Sequence, residues 1–523
     1  MKKTIVLVFA LLCTQLLVSQ TPPDIKWGKP IQEGKKIALR GIVGTDGENT
    51  YNLKIKYGFF SKLIIEHLDK NLNSVNSQEL ELSFEKNKMD YEYLIYRENE
   101  LLLFTSFRNN KLKKNFLFVQ HIDKKTLLSK GDIKKIAEID YSNYGRWNTG
   151  NYVFKTSRDK SKFLVYYNLP YDKGTNEKFG FHVYGADNKQ LWEKELTLPD
   201  LEENYALSDI SIDNDANLQL VGRKYLGNKK ERGTISNYNY EVLSFSKAGT
   251  KMKRYPINLT DKFITDLTIS VNEEGDILCS GFYSERSTYS IAGTFFMKIE
   301  KETAKVKKQS FKAFDMNFIT QNMTEKQEKK TKKKADKGKN IELYEYDLDE
   351  MILTSDGGAI LIGEQYYVRV VTTTSTDSYG NTTTRTTYYY YYNDIIVVNI
   401  SPEGDIKWAK KIPKHQVTTN DGGYYSSYFL IVDEDKLHFI FNDHIDNIIA
   451  PEPGKTKNFT GRKNGAVAYV TMDSNGNQTR KAFFRTKDAE VIIRPKVCKQ
   501  VSAKSSIIYG EKKKVNQFGL IEY

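Results

Sequence analysis

The stretch DIKWAKKI, residues 405–412, decides the fold, because almost the same sequence stands near the start of the chain as DIKWGKPI, residues 24–31. Residues 405–412 follow an apolar strand and a tight turn at Ser401, so they are expected to form the outer strand of a hairpin. The copy at residues 24–31 has no strand before it. The C-terminal stretch FGLIEY, residues 518–523, is an inner strand that has no outer partner after it. Pairing the two chain ends completes one sheet and removes two exposed edges.

The same strand–turn–strand unit recurs along the chain. An apolar strand ends at a polar turn residue in eight places, which are Asp69, Asp123, Asp187, Ser246, Glu300, Ser401, Asp473 and Glu522. The positions one and four residues before each of these are apolar in every copy. Both faces of the strand are therefore apolar, which is typical of a strand that is covered on both sides. Most intervals are roughly 50 to 70 residues, a period typical of repeat proteins.

Each unit contains four strand signals and no helical periodicity between them. Four-stranded units that pack face to face around a ring form a β-propeller. We therefore predict one all-β domain over residues 20–523, with eight blades, or seven if the irregular region at residues 41–60 is not a complete unit. The repeat resembles the propeller-like proteins exported by Gram-negative bacteria. No tryptophan is followed by aspartate, so the signature of WD repeats is missing.

The first residues resemble a secretory signal. Two lysines precede an apolar run at residues 5–12 that is too short to span a bilayer, and a polar stretch follows it. This pattern predicts a signal peptide over residues 1–19 and export to the periplasm, the outer surface or the medium. Cys13 follows Leu12, where lipoprotein signals carry a small residue, so no lipid anchor is expected. No later segment has the ~20 apolar residues that a transmembrane helix needs.

Two unusual segments lie in the long interval between Glu300 and Ser401. Residues 325–339 carry eight lysines and three acidic residues without an apolar face, which predicts a solvated Lys-rich loop at residues 319–340. This tract contributes +5 to the net charge of +13, and the remaining +8 is spread along the chain, so no nucleic-acid partner is expected. Residues 365–393 are rich in Tyr, Thr and Val on both sides of a polar turn. They predict a long β-hairpin that projects from one rim.

The tyrosines of this hairpin are the main candidate binding residues. Tyrosine offers a large amphipathic area at low entropic cost, so it can stack on a sugar or dock a protein. The alternative is that the hairpin folds back and its tyrosines cover a neighbouring blade. Arg and Trp together in a glycine-flanked loop are typical of recognition hot spots, with loop packing as the alternative. The predicted binding residues are Tyr366, Tyr367, Tyr379, Tyr388, Tyr390, Tyr392, Arg146 and Trp147.

Motifs that carry chemistry are missing from the sequence. It has no nucleophile elbow, no His-Glu-x-x-His, no Cys-x-x-Cys and no dinucleotide-binding glycine loop, so no catalytic residue, metal or cofactor is assigned. His67 and His121 hold the same position in adjacent units, but the next unit has Gly185 there. Ordinary hydrogen bonds are therefore favoured over a metal site. Residues 213–217 have the oxygen spacing of a calcium loop but lack its glycine and far glutamate, which favours an Asx turn.

Three functions remain open at this point. The leading hypothesis is an exported, non-enzymatic scaffold whose rim loops bind an envelope protein or a glycan. The alternatives are a glycan-active enzyme with carboxylates at the channel mouth, and a structural subunit of a surface complex whose hairpin extends a partner's sheet. Three or more acidic or His side chains that converge at one channel end with shifted pKa values favour the enzyme.

Overall fold

A computed structural model describes residues 22–34, 36–59, 61–145, 148–226, 238–272, 274–285, 290–301, 303–339, 341–434, 436–452, 454–461, 463–489, 491–512 and 514–523. The predicted signal peptide, with Cys13, and the predicted binding residues Arg146 and Trp147 lie outside these ranges. In the described part of the chain, eight antiparallel sheets contain four or more strands each. We number them sheets 1 to 8 in chain order, and the all-β prediction is confirmed.

The first half of the chain forms two short strands, sheets 1 to 4 and one small hairpin. The two short strands are β1 (Ile25–Trp27) and β2 (Ile31–Gln32). Sheet 1 contains β3 (Ile37–Thr45), β4 (Thr50–Lys56), β5 (Lys62–Leu68) and β6 (Ser74–Glu79), and the small hairpin β7 (Ser83–Phe84) and β8 (Asn87–Lys88) follows. Sheet 2 contains β9 (Asp90–Tyr96), β10 (Glu100–Asn109), β11 (Lys114–Asp123) and β12 (Ser129–Asp140). Sheet 3 contains β13 (Asn151–Thr156), β14 (Phe163–Asn168), β15 (Asn176–Tyr184) and β16 (Gln190–Leu201), and sheet 4 contains β17 (Tyr205–Ile212), β18 (Leu218–Tyr225), β19 (Tyr238–Ser246) and β20 (Lys251–Ile257).

The second half forms sheets 5 to 8 and three short helices. Sheet 5 contains β21 (Phe263–Val271), β22 (Ile277–Ser284), β24 (Gly293–Ile299) and β25 (Val306–Ala313), while β23 (Ser290–Ile291) pairs with β26 (Leu343–Tyr344). Helices α1 (Met316–Thr320) and α2 (Glu325–Asp336) lead to sheet 6, with β27 (Tyr346–Leu353), β28 (Ala359–Thr376), β29 (Thr382–Ile400), β30 (Ile406–Ile412) and β31 (Gln416–Thr419). Sheet 7 contains β32 (Phe429–Asp433), β33 (Lys436–His444), β34 (Gly465–Met472) and β35 (Gln478–Arg485), with helix α3 (Asp446–Ile449) inserted. Sheet 8 contains β36 (Ile492–Ile493), β37 (Lys499–Ser502), β38 (Ser505–Lys512) and β39 (Val515–Glu522) together with β1 and β2.

Apolar clusters join each sheet to the next. Seven clusters connect consecutive sheets, and an eighth packs Leu39 of sheet 1 against Tyr509 and Phe518 of sheet 8. Strand β1 pairs antiparallel with β39, and Ile25 lies opposite Ile521. First strands contact one another between sheets 1 and 2, 2 and 3, 3 and 4, 5 and 6, 7 and 8, and 8 and 1. The first strands therefore lie on the inner side of the ring, around the central channel of a propeller. Four-stranded sheets packed face to face in this way are the architecture of a β-propeller, as predicted.

The tight turns of the repeat are held by Asx side chains. The Asp473 carboxylate accepts hydrogen bonds from the backbone N–H groups of Asn475 and Asn477, both at 2.9 Å. Gly476 completes the turn with φ +77°, a conformation that costs glycine little. Asp213 accepts the same two bonds at residues 215 and 217. The calcium-like spacing at residues 213–217 is therefore used by an Asx turn.

Tryptophans on the outer strands tie these turns to the neighbouring sheet. The indole N–H of Trp192 donates to the Ala216 carbonyl at 3.1 Å, and that of Trp408 donates to the Ser474 carbonyl at 3.0 Å. The turns between first and second strands and between third and fourth strands thus share one side of the ring, which we call the turn face. The loops between second and third strands and the links between sheets leave on the opposite side, which we call the loop face.

The Lys-rich tract differs from the prediction, because residues 325–336 form helix α2 instead of a loop. Lys, Glu, Gln and Ala are strong helix formers. A capping box stabilises the first turn: the Thr324 hydroxyl accepts the Gln327 N–H, and the Gln327 side chain accepts the Thr324 N–H. Glu328 and Lys332 form an ion pair one turn apart. The missing apolar face predicts a loop, whereas Thr324 and Gln327 are the local signal for the start of a helix.

Candidate functional site

The hairpin at residues 365–393 is an extension of sheet 6 on the loop face. Strands β28 and β29 stay paired from Tyr366–Tyr392 to Thr376–Thr382, well past Gln365, which is the last residue of β28 that pairs with β27. At ~3.4 Å per residue this extension is roughly 35 Å long. We call residues 367–391 the arm. Its outer half, residues 372–386, is exposed throughout, so the arm stands out from the ring.

One face of the arm is apolar near the ring and hydroxylated toward the tip. Val368 lies opposite Tyr390, and Val370 lies opposite Tyr388. Val368, Val370 and Tyr388 are exposed, and Tyr390 is partly exposed. Three threonine pairs continue this face, with hydroxyl oxygens 3.3–3.4 Å apart, namely Thr372–Thr386, Thr374–Thr384 and Thr376–Thr382. The turn at the tip carries Tyr379, which is 89% exposed. The arm therefore offers a continuous surface for contact.

The base of the arm is anchored in the ring through Tyr392. This side chain is only 7% exposed. Its hydroxyl accepts a hydrogen bond from Lys496 Nζ at 2.6 Å, and its backbone carbonyl accepts one from Lys414 Nζ at 2.8 Å. Tyr366 packs on its ring at 4.7 Å between ring centroids, while Tyr367 stacks on Tyr391 on the other face at 4.3 Å. Tyr392 therefore anchors the arm to the ring. Tyr366 and Tyr367 pack in the same base of the arm.

The predicted binding tyrosines thus fall into two groups. Tyr379, Tyr388 and Tyr390 lie on the arm beyond its anchored base. Tyr392 is buried against the ring, where Lys496 and Gly423 contact it, so its placement is the one nearer to the alternative interpretation of the hairpin. The sequence predicted these side chains as one set, but only those farther from the ring are available for binding.

The outer edge of β28 is open along the arm. In the described residues no strand pairs with β28 beyond Gln365, whereas β31 covers β29 from Tyr389 to Tyr392. The Asp377 N–H donates to the Asn381 carbonyl, so odd-numbered residues of β28 bond to β29. The even-numbered residues consequently direct their N–H and C=O groups to the open edge. Such an edge is a template for another strand.

A second cluster of chemistry-bearing side chains lies in the channel, on the first strands of sheets 5 and 6. Asp266 of β21 accepts the backbone N–H of Leu348 at 3.0 Å, which joins the two strands. Asp347 and Asp349 follow on β27, and Glu364 of β28 lies behind them. We call Asp266, Asp347, Asp349 and Glu364 the channel carboxylates.

The environment of the three aspartates of this cluster raises their pKa values. Burial, with Asp266 and Glu364 nearby, raises the pKa of Asp347 to about 6. Burial, with Glu364 and Asp347 nearby, raises the pKa of Asp349 to about 7, although the Tyr428 hydroxyl donates to it at 2.6 Å. Burial also raises the pKa of Asp266. At neutral pH, Asp349 is therefore able both to give and to accept a proton, which is what general acid–base chemistry requires.

Glu364 connects the channel carboxylates to the base of the arm. Its side chain is 4% exposed and forms an ion pair with Lys414 Nζ at 2.6 Å, and the Ser427 hydroxyl donates to it at 2.8 Å. The same lysine holds the Tyr392 carbonyl. Sequence reasoning missed this cluster, because its members belong to different strands. One signal was available: the acidic residues at 345, 347, 349 and 350 are unusual in a strand, since Asp and Glu are depleted there.

The remaining candidates take structural roles. His67 Nε2 is 2.8 Å from Asn49 Oδ1, and His121 Nδ1 is 2.8 Å from Glu100 Oε2, so each histidine is engaged within its own sheet. Within the ranges that the structure describes, no three His, Cys, Asp or Glu side chains are grouped so that they could hold a metal ion. In the same ranges no helix combines the length and the apolar character that crossing a membrane takes.

Comparison with known proteins finds similarity to solved structures only. No protein-family model matches the sequence, and no curated protein matches it. The WD40 domain of SCAP from fission yeast is similar over 95% of this chain and 98% of that domain, at 10% sequence identity and a TM-score of 0.38. The β-propeller domain of the Trilobed protease from Pyrococcus furiosus is similar over 85% of this chain and 98% of that domain, at 9% identity and a TM-score of 0.36. The class is a β-propeller, and it follows from the sheet order and packing of this chain.

Proposed function

We propose that this chain is an exported β-propeller that binds a protein of the cell envelope or its surroundings, and that the arm is its recognition element. The observation that carries the proposal is the open edge of β28. A partner segment in extended conformation adds a strand there through backbone hydrogen bonds, and the exposed valine and tyrosine side chains beside it select the sequence.

The composition of this edge supports the proposal. Soluble proteins block exposed edge strands with lysine, proline, bulges or a covering loop. From residue 367 to residue 376 the strand contains no lysine and no proline, and Arg369 is its one charged residue. Val368 and Val370 expose 39% and 54% of their surface beside the open backbone groups. An open edge strand of this length promotes aggregation of a protein that has no partner for it. The same edge is the binding surface that an extended partner segment requires.

A shortened arm tests the proposal without disturbing the ring. Removing residues 371–376 and 382–387 leaves Val370 opposite Tyr388 directly before the turn. The shortened hairpin keeps the pairing of β29 with β31. Because an even number of residues is removed from each strand, every remaining side chain stays on its original face. The affinity-purified protein is expected to capture a defined partner from the envelope fraction of the producing organism, and the shortened variant is expected to lose it. Equal capture by both proteins contradicts the proposal.

Proline substitutions on the two strands separate the open edge from the rest of the arm. Thr372→Pro with Thr374→Pro removes two N–H groups that point to the open edge of β28, because proline has no N–H. Thr384→Pro with Thr386→Pro makes the matched change on β29. We expect the first pair to abolish capture and the second pair to retain it. Hydrogen exchange of residues 367–376 should slow when the captured partner is added, and unchanged exchange rules out strand addition.

The channel carboxylates favour a second candidate function, hydrolysis of a glycan by paired acids. Asp349, with a pKa of about 7, is placed to donate a proton, and Asp347, with a pKa of about 6, is placed to activate water. This candidate predicts release of reducing ends from an envelope or extracellular polysaccharide. Asp349→Asn should abolish that release, whereas the shortened arm should leave it unchanged. If no reducing ends are released from any polysaccharide of such a panel, the hydrolytic function is ruled out and the binding function remains.

A further inference from the structure

Helix α2 is an ordered, highly charged element of the loop face. Gly454, with φ +72°, brings its backbone directly against residues 323 and 324, where no side chain would fit. The Thr331 hydroxyl contacts the sulfur of Met323, which packs against the apolar cluster of sheets 5 and 6. The helix is thus seated on the ring by its first turn and by one of its faces.

The two long faces of α2 differ sharply. Thr324, Glu328, Thr331 and Ala335 recur at helical spacing, and these residues are half-buried toward the ring. The opposite face carries a row of exposed lysines at the same spacing, namely Lys326, Lys330, Lys333 and Lys337. At ~1.5 Å per residue this row is roughly 16 Å long. None of the residues of α2 is buried, so the row faces solvent along its whole length.

The lysine row shares its side of the ring with the arm. Helix α2 lies in the link between sheets 5 and 6, and the arm is the loop between the second and third strands of sheet 6. Both leave the ring on the loop face. The arm adds two exposed guanidinium groups there, Arg369 and Arg385, and the exposed tip residue Tyr379. Tyrosine is a residue type that favours the interface between water and lipid.

We propose that α2 attaches the loop face to a bilayer surface that contains anionic lipid headgroups. The row consists of lysines alone, which act as point charges without the bidentate geometry of arginine. Residues 325–339 contain no aromatic side chain on which a base could stack. A flat, diffuse negative charge suits such a row better than the shaped backbone of a nucleic acid does. Helix α2 has no apolar outer face, so attachment is electrostatic and reversible.

The experiment measures partition of the purified protein into sucrose-loaded vesicles. One set is phosphatidylcholine alone and the other contains about a third phosphatidylglycerol, at about 0.05 M and about 0.5 M salt. We expect sedimentation with the anionic vesicles at low salt and its loss at high salt. Replacing the four lysines of the row by glutamine should weaken binding by roughly 100-fold or more, because one lysine near such a surface contributes about fivefold. Replacing the same four by arginine should retain binding.

A matched control separates the helix from net charge. It replaces four exposed lysines in turns of the turn face by glutamine, namely Lys70, Lys125, Lys189 and Lys247. This variant has the same net charge as the first and should bind like the unmodified protein. Equal loss in both variants, or binding that does not depend on anionic lipid, overturns the proposal. Binding to single-stranded DNA or to an acidic polysaccharide in the absence of vesicle binding overturns it as well. The shortened arm, which is expected to lose its protein partner, retains α2, so the two proposals fail independently.

Discussion

Neutralising Asp349 should stabilise the protein at neutral and alkaline pH. Its pKa is raised from the ordinary value of 3.8 to about 7, first by burial and then by Glu364 and Asp347. The charged form is therefore unfavourable in the folded state. Well below pH 3.8 the carboxyl group is protonated in both the folded and the unfolded chain and does not affect the free energy of unfolding. As pH rises from 3.8 toward 7, Asp349 loses its proton in the unfolded chain but keeps it in the folded protein. The free energy of unfolding therefore falls progressively over this pH range.

The size of the effect follows from the shift. A shift of three pKa units corresponds to roughly 4 kcal/mol at about 1.4 kcal/mol per unit. The Asp349 side chain is exposed, so solvent screens its charge and we expect about 1–2 kcal/mol of destabilisation above pH 7. The variant Asp349→Asn keeps an oxygen that can accept the Tyr428 hydroxyl. Its free energy of unfolding should exceed that of the unmodified protein by about 1–2 kcal/mol at pH 8, and the difference should shrink to a few tenths of a kcal/mol at about pH 4.

Urea unfolding at pH 4, 6 and 8, followed by tryptophan fluorescence, measures this difference. The matched control is Asp473→Asn, because hydrogen bonds from the Asn477 side chain and from the backbone N–H groups of residues 475 to 477 lower the pKa of Asp473. Its carboxylate stabilises the folded state above pH 4, and this stability is lost as pH falls through the lowered pKa. The control should therefore be destabilised at pH 8. A stabilising effect of Asp349→Asn that is the same at pH 4 and pH 8, or no effect at pH 8, refutes the electrostatic reasoning.

Two further substitutions test the packing that supports the arm and the ring. Gly423→Ala should cost more than 2 kcal/mol, since its φ of +68° is unfavourable for alanine and the new Cβ would lie 2.2 Å from the Tyr392 ring. Gly422→Ala has the same φ in open space and should cost only about 1 kcal/mol; equal thermal midpoints for the two variants contradict the clash. Trp408→Phe removes the hydrogen bond to the Ser474 carbonyl and should lower the free energy of unfolding by about 1 kcal/mol, measured by urea unfolding. An unchanged urea midpoint shows that this bond does not hold the two sheets together.

The strands were predictable from local pattern, and the helix α2 was not. Apolar residues of both parities, such as Val397 and Ile400 before Ser401, identify strands that are covered on both faces. For α2, the rule that a helix needs an apolar face gave the wrong prediction. Its stability comes from the capping box at Thr324 and from the docking of its first turn against Gly454. Both are local or tertiary contacts that a composition argument does not include.

The candidate site was predictable in part, and its limits have a physical cause. The arm was visible as two β-prone stretches around a turn, because a hairpin is specified by residues close in sequence. The difference between Tyr392 and Tyr379 was not visible, since it depends on Lys496 and Gly423, which belong to other parts of the chain. The same reason hid the channel carboxylates.

The sequence by itself determined which residues form strands, where the turns lie and that the two chain ends belong side by side, because period, turn chemistry and the match between residues 24–31 and 405–412 are local information. Only the tertiary structure decided that Asp266, 82 residues from Leu348, receives its backbone N–H, and that the carboxylates near them share one channel. It also decided which edge of the arm stays open. Those properties depend on how separate sheets are positioned in space, and side chains from different sheets meet only once the ring has formed.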